Sequence, residues 1–317
     1  MKNRCNNRDE CCNNCFINNK IAYICENECD YFFAKANVVG VALGYKLSKG
    51  FYSCQKCITV FVSKKIQEHE LNVSDIIPKV YSGIATDVVE SGRITIQSFD
   101  KKIRPAIGGY SIGPETSRIT GSLGCLVSDE HHLYMLGNNH ILANENKVPL
   151  NSKILQPGVA DGGTKADEVG ILSKYIPIDF RKDASNYVDC AIAKVLDKSK
   201  VSSNIAIMGI PKGVTDPRVG ELVMKVGRTT ELTGGVIINI NASIKLNYHS
   251  GEIMLKNQII TTNMSEIGDS GSLLVTPENY AVGLVVGSGN SISIHNSIVP
   301  VLERLGVRIV TKEINNV

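Results

Sequence analysis

The apolar positions of this chain change their pattern twice. The opening stretch, MKNRCNNRDECCNNC onward, is polar and rich in Asn and Cys, with no sustained apolar period. Residues 1–30 therefore predict a Cys-rich polar tail. From Asn37, NVVGVALGYKL alternates apolar and small residues as a half-buried strand does, and LSKGFYSC turns around Gly50. CITVFVS (57–63) is a β-branched and aromatic run, the signature of a buried strand. KKIQEHELNVSDIIP is charged and stops at Pro78, which predicts a short helix, and IATDVVESG returns to strand character. Residues 31–100 thus predict a small α+β module ending in the polar linker QSFDKKIRP.

From Pro105 the pattern becomes short apolar runs separated by Gly, Asn, Asp and Pro: GSLGCLVS, HLYMLGNN, DCAIAKV, GELVMKVG, EIMLKNQIIT, GSLLVTP, AVGLVVGS. Many short strands with regular turn signals predict a sandwich or barrel, and residues 101–317 suffice for two six-stranded antiparallel β-barrels. Helical periodicity returns only in SIVPVLERLG. The fold expected is mainly β, a double barrel preceded by the α+β module.

Composition narrows the function classes. A charged content of 21% with net charge +3, spread along the chain, provides no basic stripe for nucleic acid, and the absence of Trp removes a common stacking group. No apolar run reaches the length of a membrane span, and the polar N-terminus has no secretory h-region. The expected location is the cytoplasm, with release by lysis or a leaderless route left open; no nucleic-acid or membrane partner is expected. Cys5, Cys11, Cys12, Cys15, Cys25 and Cys29 crowd the N-terminus. In a reducing compartment they read as free thiols or metal ligands. Cys12/Cys15 and Cys25/Cys29 have spacings compatible with a structural zinc, the alternative being a metal-free disordered tail.

Three local sequences carry candidate chemistry: MLGNNHILAN with His140 after an apolar strand, NYVDCAIAKV with Asp189 leading into another, and MSEIGDSGSLLV with Ser270 in a Gly-rich turn. Acyl transfer to a serine needs a base for the hydroxyl proton, an acid that fixes the base's tautomer, and donors for the oxyanion. His140, Asp189 and Ser270 supply the first requirements in one of the known triad orders. Glycines flanking the serine let backbone amides converge, so the N–H groups of Gly268 and Ser270 are the candidate oxyanion hole. No cofactor is needed for this chemistry. His131, His132 and His249 read as solvent-facing turn residues, His295 as a loop residue with a place in the lining of a substrate pocket as the alternative, and Asp179 and Asp183 lack the apolar run expected beside a buried acid. Cys54 and Cys57 form a C-x-x-C pair without a following helix, which is weak evidence of redox chemistry.

GSLGCLV…LGNNHILA, VDCAIA, VMKVGRTTELTGG and GDSGSLL together resemble the trypsin/chymotrypsin-like serine peptidases, bacterial members especially, over residues ~105–310. Residues 37–90 resemble an N-terminal module on some bacterial relatives. The resemblance implies a serine endopeptidase acting on protein or peptide substrates. The rival readings are a catalytically silent binding or scaffold protein on the same fold, against which the intact triad speaks, and a peptidase limited to self-processing. By register from Ser270, the resemblance implies that Met264 and Ser265 begin the specificity pocket, with Val286, Gly287 and Ser288 opposite. With no acid at Met264, small or apolar residues are expected at the cleavage position. Ile141 stands where secreted members place a cysteine, so Cys125 and Cys190 read as buried free thiols. Trypsin pairs the aspartate before its nucleophile with a freed N-terminal amine. Here Asp269 needs an internal cation, and Lys225 is the first candidate, Arg228 the second.

Overall fold

A computed structural model of the chain describes residues 8–48, 51–92 and 98–314, side chains excepted at 8–14, 48 and 51–52. The chain divides into two compact units, Met1–Gln97 and Ser98–Val317.

In the first unit, helices α1 (Arg8–Asn27) and α2 (Cys29–Phe33) precede strands β1 (Val38–Ser48), β2 (Phe51–Val62), β3 (Val80–Tyr81) and β4 (Ile84–Glu90). The sheet order is β1-β2-β4-β3, with β2 and β4 parallel. The stretch expected to be a polar tail is, where described, helix α1. Ile17, Ile21 and Ile24 fall on one face at i, i+4 and i+7, and Ile21 and Ile24 are buried with Phe32, Ile58, Val60 and Ile84. Asn and Cys diluted that stripe in the sequence, and only the sheet it covers makes it a core face. The short helix expected before Pro78 is instead two 3₁₀ turns, Glu68–Glu70 and Val73–Asp75, separated by the extended residue Leu71. Asp75 accepts from the Ala36 amide at 2.9 Å and from Asn72 at 3.1 Å, which ties the second turn to the segment after α2. Cys5 lies outside the described residues, as do the side chains of Cys11 and Cys12. Among the described residues no group of three or more His, Cys, Asp or Glu is placed to hold a metal.

The second unit opens with β5 (Ala106–Gly108). The first barrel uses β6 (Ser111–Pro114), β7 (Gly121–Ser122), β8 (Leu126–Ser128), β9 (Leu133–Gly137), β10 (Lys153–Leu155), β11 (Glu168–Tyr175) and, after β12 (Ser185–Asn186), β13 (Ala191–Val195). Residues 121–128 act as one bent strand: β7 pairs β6, β8 pairs β9, and Leu123 and Gly124 between them bond Tyr110 and Leu136. The ring therefore closes in the order β6, β7/β8, β9, β13, β11, β10. Beyond β14 (Val201–Ile205), which runs parallel to β5, and β15 (Gly213–Val214), the second barrel uses β16 (Leu222–Gly227), β17 (Glu231–Tyr248), β18 (Gly251–Thr262), β19 (Leu273–Val275), β20 (Tyr280–Ser288) and β21 (Ile292–Ser297). It closes as β16-β17-β18-β21-β20-β19 and back to β16. The two six-stranded barrels expected from the turn spacing are present.

Helix α3 (Asn139–Leu142) follows β9, and α4 (Ile298–Leu305) follows β21, ahead of β22 (Arg308–Ile309). Helix α4 buries Ile298, Val301, Leu302 and Leu305 at i, i+3, i+4 and i+7 and ends at Gly306, whose φ of 76° suits the left-handed cap. Its buried face joins Leu136 and Val127 of the first barrel and Leu273, Val275 and Leu284 of the second in a shared core. Among the described residues no helix is long and apolar enough to cross a membrane.

Candidate active site

Each barrel contributes one wall of a cleft of about 640 Å³, lined by His140 and Ile141 from the first and by Gly268, Ser270, Val286 and Gly287 from the second. His140 sits on α3 because its neighbours Asn139, Ile141 and Leu142 are buried, which leaves the imidazole, 18% exposed, on the cleft side. Asn139 fixes the helix by donating to the Ile176 carbonyl at 2.7 Å.

Asp189 is fully buried just before β13. Its carbonyl accepts from the side-chain amides of Asn138 (2.7 Å) and Asn296 (2.9 Å), and its N–H donates to Asn296 Oδ1 at 3.1 Å. With the main chain fixed, Oδ1 takes the His140 N–H at 3.1 Å and Oδ2 bonds His140 Nδ1. Burial alone would raise the Asp189 pKa, but His140 and the Tyr248 hydroxyl outweigh it and hold the carboxyl below its ordinary range. A carboxylate on Nδ1 selects the tautomer that leaves Nε2 free to accept a proton.

Ser270 lies in the turn between β18 and β19 and is 8% exposed. Its hydroxyl donates to the Val286 carbonyl at 2.9 Å. The turn is anchored to the first barrel: the Ser122 hydroxyl donates to Gly268 O at 2.9 Å and the Ser122 N–H to Ser270 O at 2.8 Å. Those carbonyls face the barrel, and among the described residues neither the Gly268 nor the Ser270 N–H has a protein acceptor. Two backbone amides without partners beside a serine hydroxyl are what an oxyanion site requires. Gly268 has φ 103° and no room for a side chain, since a Cβ would lie 2.3 Å from Thr229 Oγ1. Gly271 has φ 95°, and its Cβ would lie 2.3 Å from the Ser122 carbonyl oxygen. Gly271→Ala is therefore expected to lower the unfolding free energy by about 2 kcal/mol or more, measured as a urea midpoint at unchanged slope. A change under about 0.5 kcal/mol would mean that Ser122 can give way.

Asp269 and Lys225, both fully buried, form an ion pair at 3.0 Å. Asp269 also accepts from the N–H groups of Thr229 (2.9 Å), Thr230 (3.1 Å) and Glu266 (2.9 Å) and from the Thr230 hydroxyl at 2.6 Å. Burial works against the Asp269 charge, yet Lys225 and these donors keep its pKa below the ordinary value. Burial likewise pulls the Lys225 pKa down against the attraction of Asp269. Arg228, the second candidate partner, is committed to Asp161, to which Nε donates at 2.6 Å.

The two residues expected to begin the specificity pocket are both buried. Met264 is 4% exposed and packs inside the second barrel against Val223, Ile237, Ile259, Leu274 and Val282. Ser265 is 3% exposed and bonds the Ser293 hydroxyl at 2.8 Å. The lining on that side begins at Glu266, with Val286, Gly287 and Ser288 also on the cleft. A register count from Ser270 gives sequence distance but not the turn at 267–268 that lifts the wall out of the barrel.

His295, expected in a loop, is fully buried on β21, where Nε2 shares a hydrogen bond with Thr261 Oγ1 at 2.8 Å. Burial pushes its imidazole down to about 3, so the ring is neutral. Cys125 and Cys190 are buried free thiols. The sequence reading missed Asn138, Asn296, Glu145 and Tyr248. Each acts on a segment remote in sequence, and of the four only Asn138 lies within a motif quoted above.

The family model described as the NARROW LEAF 1 N-terminal domain matches residues 29–89. No curated protein matches the chain in sequence. Among solved structures, protease A of Thermobifida fusca is 20% identical, with 65% of this chain and 98% of that chain covered and a TM-score of 0.48. Chymotrypsin of Cellulomonas bogoriensis is 23% identical, with the same coverage and a TM-score of 0.46. A glutamic-acid-specific serine protease, described as using a histidine triad in substrate binding, is 22% identical, with 65% and 100% covered and a TM-score of 0.47. The structural neighbours are trypsin/chymotrypsin-like bacterial serine proteases, and what each of them cleaves is a property of that protein. The chain combines two six-stranded β-barrels with an N-terminal module similar, over residues 29–89, to the NARROW LEAF 1 N-terminal domain.

Proposed function

We propose that the chain is a serine endopeptidase that hydrolyses protein or peptide substrates through His140, Asp189 and Ser270. The observation that carries this reading is the convergence in one cleft of a carboxylate-held imidazole, a serine hydroxyl and two unpartnered backbone amides. In this reading the Ser270 hydroxyl leaves the Val286 carbonyl and gives its proton to His140 Nε2 as Oγ attacks the scissile carbonyl. The Gly268 and Ser270 N–H groups hold the resulting oxyanion. His140 then protonates the departing amine, leaving an acyl-enzyme, and water activated by the same imidazole releases the acid. Asp269 and Lys225 support the turn, and no cofactor takes part.

A second reading, a silent peptidase-fold scaffold, is favoured by one observation: the Ser270 hydroxyl bonds Val286 rather than the imidazole. A fluorophosphonate probe separates the two. Stoichiometric labelling that maps to Ser270 and disappears in His140→Ala supports the peptidase. A folded, unlabelled protein supports the scaffold.

A further inference from the structure

The loop after α3 holds three successive residues in left-handed backbone, Asn144 (φ 44°), Glu145 (φ 56°) and Asn146 (φ 70°). Asparagine takes this conformation readily, whereas a glutamate there is strained by about 1 kcal/mol or more. Glu145 is also buried, at 4% exposure, so its carboxylate needs donors. It finds them on the other barrel. The His249 N–H donates to Oε1 at 2.8 Å, and the Ser250 N–H and hydroxyl donate to Oε2. These residues are the tip of the long hairpin formed by β17 and β18. Burial opposes the Glu145 charge, but Ser250, His249 and Lys147 together keep its pKa below the ordinary value.

Latching the tip places Tyr248 against the candidate triad. Its hydroxyl donates to Asp189 Oδ2 at 2.8 Å. Its ring stands edge-on to the His140 imidazole, with centroids 5.5 Å apart at 88°, and meets Phe180 at 6.2 Å. We propose that Tyr248 is a positioning residue for the His140–Asp189 pair, delivered by the hairpin tip and held there by Glu145. This inference rests on the peptidase reading of the site. Asp189 Oδ2 accepts from both His140 Nδ1 and the tyrosine, so the hydroxyl pins the carboxylate in the plane that the imidazole uses and limits its rotation. The ring limits the imidazole from one edge. Burial and the Asp189 charge raise the phenol pKa well above its ordinary value, so it remains a donor throughout the working range. The ionisable groups around the contact include His140, Asp189 and the Cys190 thiol that follows it, Glu145 and His249, with Lys147 paired to Glu145 at 3.4 Å.

Tyr248→Phe keeps the ring and removes only the hydroxyl. It is expected to lower kcat/KM about tenfold through kcat, with KM little changed. Because the hydroxyl favours the ionised carboxylate, its loss makes the His140–Asp189 pair hold protons more tightly. The acid limb of the pH–rate profile should then move up by about half a unit or more. The same variant in a Ser270→Ala background is followed by ¹³C NMR of the Asp189 carboxyl, which should titrate at higher pH than with Tyr248 intact. Glu145→Gln, which weakens the latch, should shift both readouts in the same direction and serves if Tyr248→Phe does not fold. A folded variant with an unchanged pH profile and unchanged carboxyl titration overturns the proposal. Wild-type protein that neither cleaves peptides nor takes the probe overturns the peptidase reading instead, while the carboxyl titration still decides the role of Tyr248.

Discussion

Ser270→Ala is expected to reduce hydrolysis of any good substrate by about 10⁴-fold or more while leaving the unfolding free energy within about 1 kcal/mol of wild type. The hydroxyl makes one hydrogen bond, to Val286, so little of the fold depends on it. Loss of the nucleophile, by contrast, leaves only binding and the two backbone amides to act on the substrate. His140→Ala should be comparably severe, and the double variant should add little, since the groups act as a unit. Single-turnover assays on a peptide library, with titration of the active fraction by probe, measure all three. Residual turnover within tenfold of wild type in Ser270→Ala, or losses that add in the double variant, would remove Ser270 from the mechanism.

The second large effect is expected at Lys225. Deleting its ammonium leaves the fully buried Asp269 carboxylate without its cation, a change that costs about 3–5 kcal/mol in buried pairs. Five hydrogen-bond donors, Lys225 among them, converge on that carboxylate, and Asp269 directly precedes Ser270. Lys225→Ala should therefore destabilise the protein and also slow probe labelling of Ser270, because the 266–270 turn loses its inner anchor. Lys225→Arg should retain more activity, limited by the shape of the guanidinium in a site with no exposed volume. Lys225→Ala/Asp269→Asn, which removes the uncompensated charge, should recover part of the stability. Wild-type labelling rates in a folded Lys225→Ala protein would show that the turn holds itself. With an internal cation at Asp269, the proposed site is expected to assemble without a freed N-terminus.

The chain order itself determined much of this protein. Short apolar runs between Gly, Asn and Asp leave closed antiparallel sheets as the economical way to pair every strand, because a barrel removes exposed edges. The GDSGS turn was legible for a similar reason: glycines mark backbone conformations that other residues avoid, and Gly268 and Gly271 take them at φ 103° and 95°. Helix α4 was legible because its apolar positions keep a helical period across its whole length. What only the tertiary structure decided are contacts made by residues with no local pattern. Helix α1 becomes part of a core because the β1–β4 sheet covers Ile21 and Ile24, and its Asn- and Cys-rich composition conceals that face. Met264 packs into the second barrel whereas Glu266 lines the cleft, a change of side along the β18–β19 connection which a register count does not contain. Asn138, Asn296 and Tyr248 come from three separate segments and meet at Asp189, where one buried carboxylate and its backbone need more donors than neighbouring residues can supply. Sequence patterning reports which groups must leave water. Which distant groups then satisfy one another is fixed only when the two barrels close on a shared core.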